Sequence, residues 1–181
     1  EMRVISGKSK GRKLKEPSDY AIRPTTDMVK ESVFNIIQFD IEGRRVLDLF
    51  AGTGQLGIEC LSRGASECTF VDMSAEAIAL VKSNLKTCGL TGRVVRDDSL
   101  SFLKRGERFD LIFLDPPYAE ELLSQALRII YSVDILNEGG IIVCESPREK
   151  LLPEPEAPYY KIKEYRYGRV KLTTIGKENK K

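Results

Sequence analysis

Five apolar runs of strand length alternate with segments of helical periodicity between residues 45 and 145. Strands that alternate with helices form parallel sheets, because each right-handed crossover packs its helix back onto the sheet. Such a sheet is covered by helices on both faces. The predicted strands are Arg45–Phe50, Glu67–Asp72, Arg93–Arg96, Phe109–Leu114 and Gly140–Glu145.

The last part of the chain predicts a different kind of pairing. Tyr159–Tyr167 and Arg169–Ile175 have the composition of strands and are separated by Gly168, which indicates a tight antiparallel turn. The fold class predicted is therefore α/β, with a mostly parallel seven-stranded sheet and an antiparallel edge. Helices are expected over about residues 25–38, 55–63, 74–88 and 120–132.

Local signals place the ends of two of these helices. Thr25 or Thr26 can cap the first helix, whose apolar residues recur at helical spacing. Ser74 can cap the third helix, and Gly89 is expected to end it.

The N-terminal residues predict a small extension. Two short strands, Arg3–Gly7 and Arg12–Lys15, flank a turn rich in Gly, Lys and Ser, which indicates a β-hairpin. Pro17–Pro24 is a connector. The predicted division is a basic hairpin extension over residues 1–23 and a main domain over residues 24–181.

Length and hydropathy limit the cellular setting. The 181 residues suffice for one domain with a sizeable core. The longest apolar run is far too short to span a membrane, and residues 1–20 are polar and basic, unlike a secretory signal. We expect a cytoplasmic, monomeric protein without a membrane partner.

The chain contains four cysteines and no histidine. The cysteines (Cys60, Cys68, Cys88 and Cys144) are far apart in sequence, and this spacing does not predict a zinc site. Buried, reduced thiols are expected instead. The absence of histidine also excludes Ser-His and Cys-His nucleophilic catalysis.

Charge is spread unevenly although the net charge is only +2. Residues 1–23 have a net charge of +4, residues 161–181 have +6, and residues 24–160 have −8. Basic ends on an acidic body suggest a polyanionic partner at one face. Solvated basic tails would give the same pattern, so charge alone leaves both interpretations open.

A glycine-rich loop follows the first strand of the parallel sheet. Gly52, Gly54 and Gly57 have the spacing GxGxxG, and Asp72 ends the next strand, where an acid can bind a ribose. This pattern is typical of dinucleotide sites, but any adenosine ligand can use such a loop and such an acid.

Asp48 favours one of these ligands. It ends the first strand just before the loop, where a carboxylate would repel a pyrophosphate and attract the ammonium and sulfonium charges of S-adenosylmethionine. Asp98 follows the third strand and can accept from an adenine amino group, for which its neighbour Asp97 is the weaker candidate. Each acid could instead cap a helix, but three acids after consecutive parallel strands meet at the edge where such sheets bind ligands.

The fourth strand ends in Asp115-Pro116-Pro117-Tyr118. Two prolines make a rigid, extended turn with free carbonyls, so the Asp115 carboxylate and the Pro116 carbonyl can both accept from one exocyclic amino group. Asp115–Tyr118 would thus form a clamp for an amino group on a planar base. Tyr118 offers a flat face for stacking a base, worth about 1–3 kcal/mol. Because a paired base cannot reach such a pocket, the target must be unpaired or flipped out. A plain strand-ending turn is the alternative.

The sequence resembles the RsmD family of 16S ribosomal RNA guanine-N2 methyltransferases, which have the class I Rossmann-like fold. The resemblance rests on "MRVISGKSKGRKLKEP", "RPTTDMVKESVFNII", "VLDLFAGTGQLGIECLSRGA", "FDLIFLDPPY" and "YGRVKL", and it covers nearly the whole chain. It implies S-adenosylmethionine as methyl donor and a guanine in 16S ribosomal RNA, free or in the small-subunit particle, as acceptor. It also implies that the hairpin and the basic ends face RNA.

The resemblance also implies roles for individual residues. Asp115 to Tyr118 would be catalytic, and Arg23 and Thr25 would lie near the active site, with no catalytic role predicted for either. The implied cofactor site has Asp48, Gly52, Thr53 and Gly54 at the methionine end, Asp72 at the ribose and Asp98 at the adenine. Its further members are Phe50, Ala51, Met73 and Ser99. The implied RNA contacts are Lys8, Lys10, Arg12, Lys13 and Arg23.

Three alternatives stay open at this point. Adenine also has an exocyclic amino group, so a DNA adenine-N6 methyltransferase fits the clamp, although a large target-recognition domain is absent from the sequence. The glycine spacing permits an NAD-dependent oxidoreductase, which Asp48 and the proline turn oppose. A non-catalytic RNA-binding protein would not need these acids.

Overall fold

The computed structural model describes residues 2–18, 25–116 and 121–179, which form five helices and seven strands. The helices are α1 (Asp27–Ile36), α2 (Gln55–Ser62), α3 (Ala75–Cys88), α4 (Ser99–Lys104) and α5 (Leu122–Val133). The strands are β1 (Arg45–Asp48), β2 (Glu67–Asp72), β3 (Arg93–Arg96), β4 (Phe109–Leu114), β5 (Leu136–Pro147), β6 (Tyr159–Tyr167) and β7 (Val170–Lys177).

All seven strands belong to one sheet in the order β3-β2-β1-β4-β5-β7-β6. The first five in this order run parallel, and β7 and β6 pair antiparallel to their neighbours. The α/β fold with an antiparallel edge is therefore as predicted. Strand order reverses at β1, which lies between β2 and β4, and a ligand crevice is expected outside the carboxyl ends of the strands at such a reversal.

Helix ends follow the predicted signals. Thr26 caps α1 by accepting from the Val29 N–H, and Ser74 caps α3 by accepting from the Ala77 N–H. Gly89 ends α3 in the left-handed conformation, at φ 65°. The short helix α4 was not predicted; its six residues follow β3 almost directly and offer too little periodicity to be recognised.

Side chains on the two faces of the sheet form two apolar clusters. One contains Phe34 of α1, residues of α2 and α3, and the sheet residues Phe70 and Phe113. The other contains Phe102 of α4, residues of α5, and alternate residues of β1, β2, β4 and β5. The four cysteines are buried and free, as expected. No helix in the described ranges is long and apolar enough to cross a membrane.

The N-terminal hairpin packs on the body of the protein. Its two arms meet at a single antiparallel bridge, Arg3 to Lys13, which is less regular than the two strands predicted. Met2, Val4 and Leu14 belong to the same apolar cluster as α1, α2 and α3. The division of the chain at residue 23 stays a prediction, although the hairpin and the helices share one core.

Hydrogen bonds fix the hairpin to α2. The Glu59 carboxylate accepts from the N–H groups of Ile5 and Ser6 at 2.8 and 3.0 Å, and it pairs with the buried Lys30 ammonium at 3.4 Å. Gly7 has φ +87°, and a Cβ there would lie 1.9 Å from the Ser62 carbonyl oxygen. Only glycine allows the hairpin backbone to approach α2 so closely.

Candidate active site

Acidic residues gather at the carboxyl edge of the sheet, next to the point where the strand order reverses. Asp48 ends β1, Asp72 ends β2, and Asp115 follows β4 directly. Because β1 lies between β2 and β4, the three carboxyl groups surround one crevice. Electrostatic coupling agrees with this placement, since Asp115 and Asp72 both raise the pKa of Asp48.

The glycine loop has the geometry that its spacing predicts. Gly52 and Gly54 have φ values of 58° and 82°, which glycine adopts without strain. The Gly52 N–H donates to Asp72 Oδ2 at 3.0 Å, which ties the loop to the end of β2. A Cβ at Gly57 would lie 2.4 Å from the Phe70 ring, so the third glycine is needed for α2 to pack on the sheet.

Asp48 is a buried carboxyl group with a strongly shifted pKa. Its Oδ2 accepts from the Gly57 N–H at 3.1 Å, and its side chain is almost completely buried. Burial, with a smaller contribution from the neighbouring acids, raises its pKa to about 8. A cation bound in the crevice would favour the ionised form of Asp48. The site therefore fits a ligand that brings a positive charge.

The residues predicted for the adenosine part of the cofactor lie at the ends of β2 and β3. Asp98 caps α4, since its Oδ2 accepts from the Ser101 N–H at 2.9 Å. Asp97 pairs with Arg105 at 2.7 Å, so its carboxylate has a cationic partner. Met73 is 62% exposed beside Asp72, where an apolar side chain can cover a flat ring. The cofactor roles of Asp98, Met73 and Ser99 stay predictions.

Asp115 is held by two side chains. The Thr25 hydroxyl donates to Asp115 Oδ2 at 2.8 Å, across 90 residues of sequence. The Glu145 carboxyl, at the end of β5, forms a second hydrogen bond with Asp115. Pro116 follows in the described chain, whereas Pro117, Tyr118 and Arg23 lie outside the described residues. The geometry predicted for the complete clamp is therefore described only for its first two residues.

The sequence indicated Thr25 as a residue near the site, whereas it did not directly indicate Glu145. Thr25 was expected near the active site without a role, and the structure gives it one as a donor to Asp115. Glu145 was not singled out, although it ends a predicted parallel strand just as Asp72 does. Extending the series of strand-ending acids to β5 would have found it.

Two amides link the glycine loop to the N-terminal part of the chain. Gln55 Nε2 donates to the Thr25 carbonyl at 3.3 Å, which places the start of α2 beside the residue that holds Asp115. Asn84 Nδ2 donates to the Thr53 carbonyl at 2.9 Å, and Asn84 Oδ1 accepts from the Lys15 N–H at 2.7 Å. Neither residue has a sequence signal, because both act on segments far away in the chain.

The turn of the basic hairpin lies at the opposite end of α2 and α3 from the carboxyl edge. Lys8, Lys10, Arg12 and Lys13 are exposed. The turn that bears the first two packs on Ser62 and Cys88, the last residues of α2 and α3. Since α3 has 14 residues and spans about 20 Å, the turn lies roughly that far from the carboxyl edge. A ligand that contacts both the hairpin turn and the carboxyl edge of the sheet must therefore be extended.

The sheet order, the glycine loop and the acids around it define the Rossmann-like class of methyltransferases. A family model described as "Conserved hypothetical protein 95" matches residues 2–176, and the chain belongs to this family. The RsmD resemblance is thereby confirmed, because curated relatives bear that family's name. Membership of a methyltransferase family opposes the oxidoreductase alternative.

Relatives match over most of their length. "Putative rRNA methyltransferase YlbH" of Bacillus subtilis (strain 168) is 50% identical over 173 residues, covering 92% of this chain and 94% of the relative. "Ribosomal RNA small subunit methyltransferase D" of Haemophilus influenzae (strain ATCC 51907 / DSM 11121 / KW20 / Rd) is 37% identical over 162 residues, covering 86% and 84%. The solved structure "Putative methyltransferase yhhF from Escherichia coli" superposes with a TM-score of 0.89 at 32% identity and covers 99% of both chains.

Proposed function

We infer that this chain is an S-adenosylmethionine-dependent enzyme that methylates the exocyclic N2 amino group of a guanine in 16S ribosomal RNA. The observation that supports this function best is the placement of Asp115. Its carboxyl group follows β4 beside the reversal of strand order, next to the acid-lined glycine loop, and two side chains fix it there. Family membership supplies the class of reaction and the ribosomal RNA substrate.

The described residues fit the cofactor. When bound, S-adenosylmethionine supplies a methyl group on a positively charged sulfur, and transfer to an amino nitrogen leaves S-adenosylhomocysteine and one proton. Asp48 and the loop Phe50–Gly54 would hold the methionine end, because a buried carboxyl with a raised pKa gains from a nearby cation. Asp72, Met73, Asp98 and Ser99 would hold the adenosine.

Asp115 would act on the acceptor base. An exocyclic amino group on a purine is a poor nucleophile, because its lone pair is delocalised into the ring. Two acceptors, the Asp115 carboxylate and the Pro116 carbonyl, can orient both N–H groups and aim the lone pair at the methyl group. Catalysis by alignment is sufficient here, and the released proton can pass to Asp115 late or to solvent.

Both the charge distribution of the protein and its family support ribosomal RNA as the substrate. The hairpin turn, which bears the exposed Lys8 and Lys10, lies about 20 Å from the carboxyl edge, so a nucleic acid can reach the active site and the hairpin together. We propose small-subunit RNA, free or assembled into a particle, as the partner of a monomeric, cytoplasmic enzyme. DNA adenine is disfavoured because the relatives named above are ribosomal RNA enzymes.

The test is a methylation assay with defined products. Purified protein and S-adenosylmethionine are incubated with unmodified 16S RNA, with small-subunit particles assembled from it, and with duplex DNA. Nuclease digestion and mass spectrometry then identify the modified nucleoside. N2-methylguanosine from either RNA sample, lost in Asp115→Ala, is the expected result. N6-methyladenosine, or modification of DNA alone, would contradict the proposal.

A further inference from the structure

A second carboxyl group lies beside the proposed catalytic Asp115. In the register of the parallel strands β4 and β5, Leu114 pairs with Cys144, so Asp115 and Glu145 occupy the next pair of positions. Residues at matching positions of adjacent strands point to the same face of the sheet. The side chains of Asp115 and Glu145 accordingly form a hydrogen bond.

The surroundings of this pair are mostly apolar. Apart from Thr25, Asp115 and Glu145, a small cavity at this place is lined by apolar residues: Val33, Leu56, Phe113, Leu114, Val143 and Leu172. Thr25 donates to Asp115 and carries no charge. Among the described residues, the further ionisable group coupled to Asp115 is Asp48, which is also an acid. The described surroundings of the pair thus add negative rather than positive charge.

Two carboxylates in hydrogen-bonding contact cannot both be ionised in such surroundings without a large electrostatic cost. A single shared proton removes this cost and makes the hydrogen bond possible. Burial raises the pKa of Asp115, and the hydrogen bonds from Thr25 and Glu145, which stabilise its anion, oppose that rise. For Glu145, burial and the neighbouring Asp115 act in the same direction and raise its pKa to about 9. The proton therefore resides on Glu145.

We propose that Glu145 is a positioning residue, which in its protonated form donates a hydrogen bond to Asp115 and holds the Asp115 carboxylate in place for the target amino group. This role rests on the function proposed above. Thr25 donates to Oδ2 and Glu145 is a second donor. The carboxylate that follows β4 is therefore fixed by β5 and by the segment before α1. Both hydrogen bonds favour the ionised form of Asp115, which suits an acceptor that aligns an amino group.

The proposal has a defined pH dependence. Glu145 has a raised pKa, so its protonated form is fully populated well below pH 9 and is lost as the pH rises through about 9. Above that pH the pair would be doubly charged, and repulsion would displace Asp115. Methyl transfer should therefore fall on the alkaline side, and a side chain that cannot ionise should remove this fall.

Single-turnover methyl transfer to small-subunit RNA from pH 6.5 to 9.5, at saturating cofactor, measures this dependence. Glu145→Gln keeps a neutral donor, so at pH 7.5 it should retain a rate within about tenfold of wild type. It should also lack the alkaline decline. Glu145→Ala should lose about 10–100-fold at pH 7.5 while its affinity for S-adenosylhomocysteine stays unchanged. Glu138→Gln, exposed at the other end of β5, is the matched control and should behave as wild type.

Two outcomes would overturn the positioning role. The first is a Glu145→Ala rate within twofold of wild type. The second is an alkaline decline in Glu145→Gln as steep as in wild type. If Glu145→Ala fails to fold, Glu145→Gln alone decides between the two cases.

Carboxyl carbon NMR of the free protein separates this proposal from the function on which it rests. A glutamate resonance that titrates near pH 9 in wild type and disappears in Glu145→Gln is expected. Titration near the ordinary glutamate pKa of about 4.3 would overturn the shared proton. The expected titration in a protein that methylates no RNA would overturn the proposed function instead, and with it the positioning role.

Discussion

The Thr25 hydroxyl donates a 2.8 Å hydrogen bond to Asp115 Oδ2, although 90 residues separate the two in sequence. The bond joins the segment before α1 to the end of β4, so the N-terminal part of the chain takes part in shaping the active site. A hydrogen bond to a charged group contributes about 1.5–3 kcal/mol. Thr25 is therefore more than the residue that precedes the cap of α1.

Replacing Thr25 tests this contact. Thr25→Ala should lower the single-turnover rate of methyl transfer by roughly 10–100-fold, because Asp115 loses one of its two donors. Thr25→Ser keeps the hydroxyl and should stay within a few-fold of wild type. Affinity for S-adenosylhomocysteine, measured by calorimetry, should barely change in either variant. Equal rates for the alanine and serine variants would show that the hydroxyl has no role.

Asp115 itself should be the most sensitive position. Asp115→Ala removes an acceptor for the target amino group, and methyl transfer should fall by about 10²–10⁴-fold, a loss of about 2.7–5.5 kcal/mol of transition-state stabilisation. Cofactor affinity should persist, because the cofactor acids lie on other strands. Near wild-type turnover of this variant on the same RNA would refute the clamp.

Asp115→Asn separates alignment from proton transfer. The amide keeps a carbonyl acceptor and the shape of the side chain but gives up the charge. If alignment dominates, Asn should retain clearly more activity than Ala in single-turnover assays. If Asp115 must take the proton, both variants should be equally inactive. We expect the first result, because the hydrogen bonds from Thr25 and Glu145 hold the Asp115 carboxylate in place as an acceptor.

Cofactor binding should depend on pH through Asp48. Its pKa of about 8 in the free protein means that it is largely protonated at pH 6.5, and a cationic ligand requires the ionised form. Affinity for S-adenosylhomocysteine, which keeps the ammonium group, should rise by up to roughly tenfold per pH unit below pH 8 and then level off. Calorimetry from pH 6.5 to 8.5 measures this.

Asp48→Asn is the control for that titration. It should bind more weakly and show almost no dependence on pH over this range. The same pH dependence in wild type and Asp48→Asn would assign the titration to another group. Binding of NAD by the wild type in place of S-adenosylhomocysteine would contradict the cofactor assignment.

Much of the fold was predictable because strand and helix periodicity are local properties. The alternation between residues 45 and 145 predicted the parallel strands, and Thr26, Ser74 and Gly89 mark helix ends as expected. The helix α4 was missed because six residues after a strand give no periodic pattern. Tertiary packing also reduced the predicted hairpin strands to a single bridge, since Glu59 accepts two of their N–H groups.

The candidate site was only partly predictable for a related reason. Asp48, Asp72 and Asp115 follow strands directly, so the parallel topology alone brings them to one edge. Glu145 ends a predicted parallel strand too, so the same argument extends to it. Gln55 and Asn84 depend on which segments become neighbours in the fold, and a sequence without its topology does not contain that information. Thr25 is an intermediate case. Its motif indicated a position near the active site, but the sequence did not predict its hydrogen bond to Asp115.

The hairpin charges should contribute to RNA binding. Changing Lys8, Lys10, Arg12 and Lys13 together to Ala should weaken binding and flatten its salt dependence by about 0.7–0.9 in log–log slope per lost phosphate contact. Lys82 and Lys86 are a control pair: they line a groove beside Val94 of β3, whereas Asn84 and Cys88 of the same helix face the hairpin. Their change to Ala should affect RNA binding less. Equal slopes for wild type and the fourfold variant would mean that the hairpin charges are merely solvated.

The position of the hairpin should matter as well as its charge, and Gly7 tests this without altering any charge. Gly7→Ala would place a Cβ 1.9 Å from the Ser62 carbonyl oxygen, so the turn must move away from α2. Gly11→Ala is a matched control, because Gly11 also has a positive φ (+84°) but no atom lies within 4 Å of a Cβ there. Both variants suffer the backbone strain of about 1–2 kcal/mol, and only Gly7→Ala adds the clash.

Chemical denaturation and RNA binding at several salt concentrations compare the two glycine variants. Gly11→Ala should lose about 1–2 kcal/mol of unfolding free energy and bind RNA as wild type does. Gly7→Ala should lose more stability and also show a reduced salt slope, because Lys8 and Lys10 no longer sit at the ends of α2 and α3. The contrary outcome is a folded but clearly destabilised Gly7→Ala protein whose RNA binding has the same salt slope as wild type. It would show that RNA binding does not depend on the docked position of the turn, and that the charges of the turn act from any position.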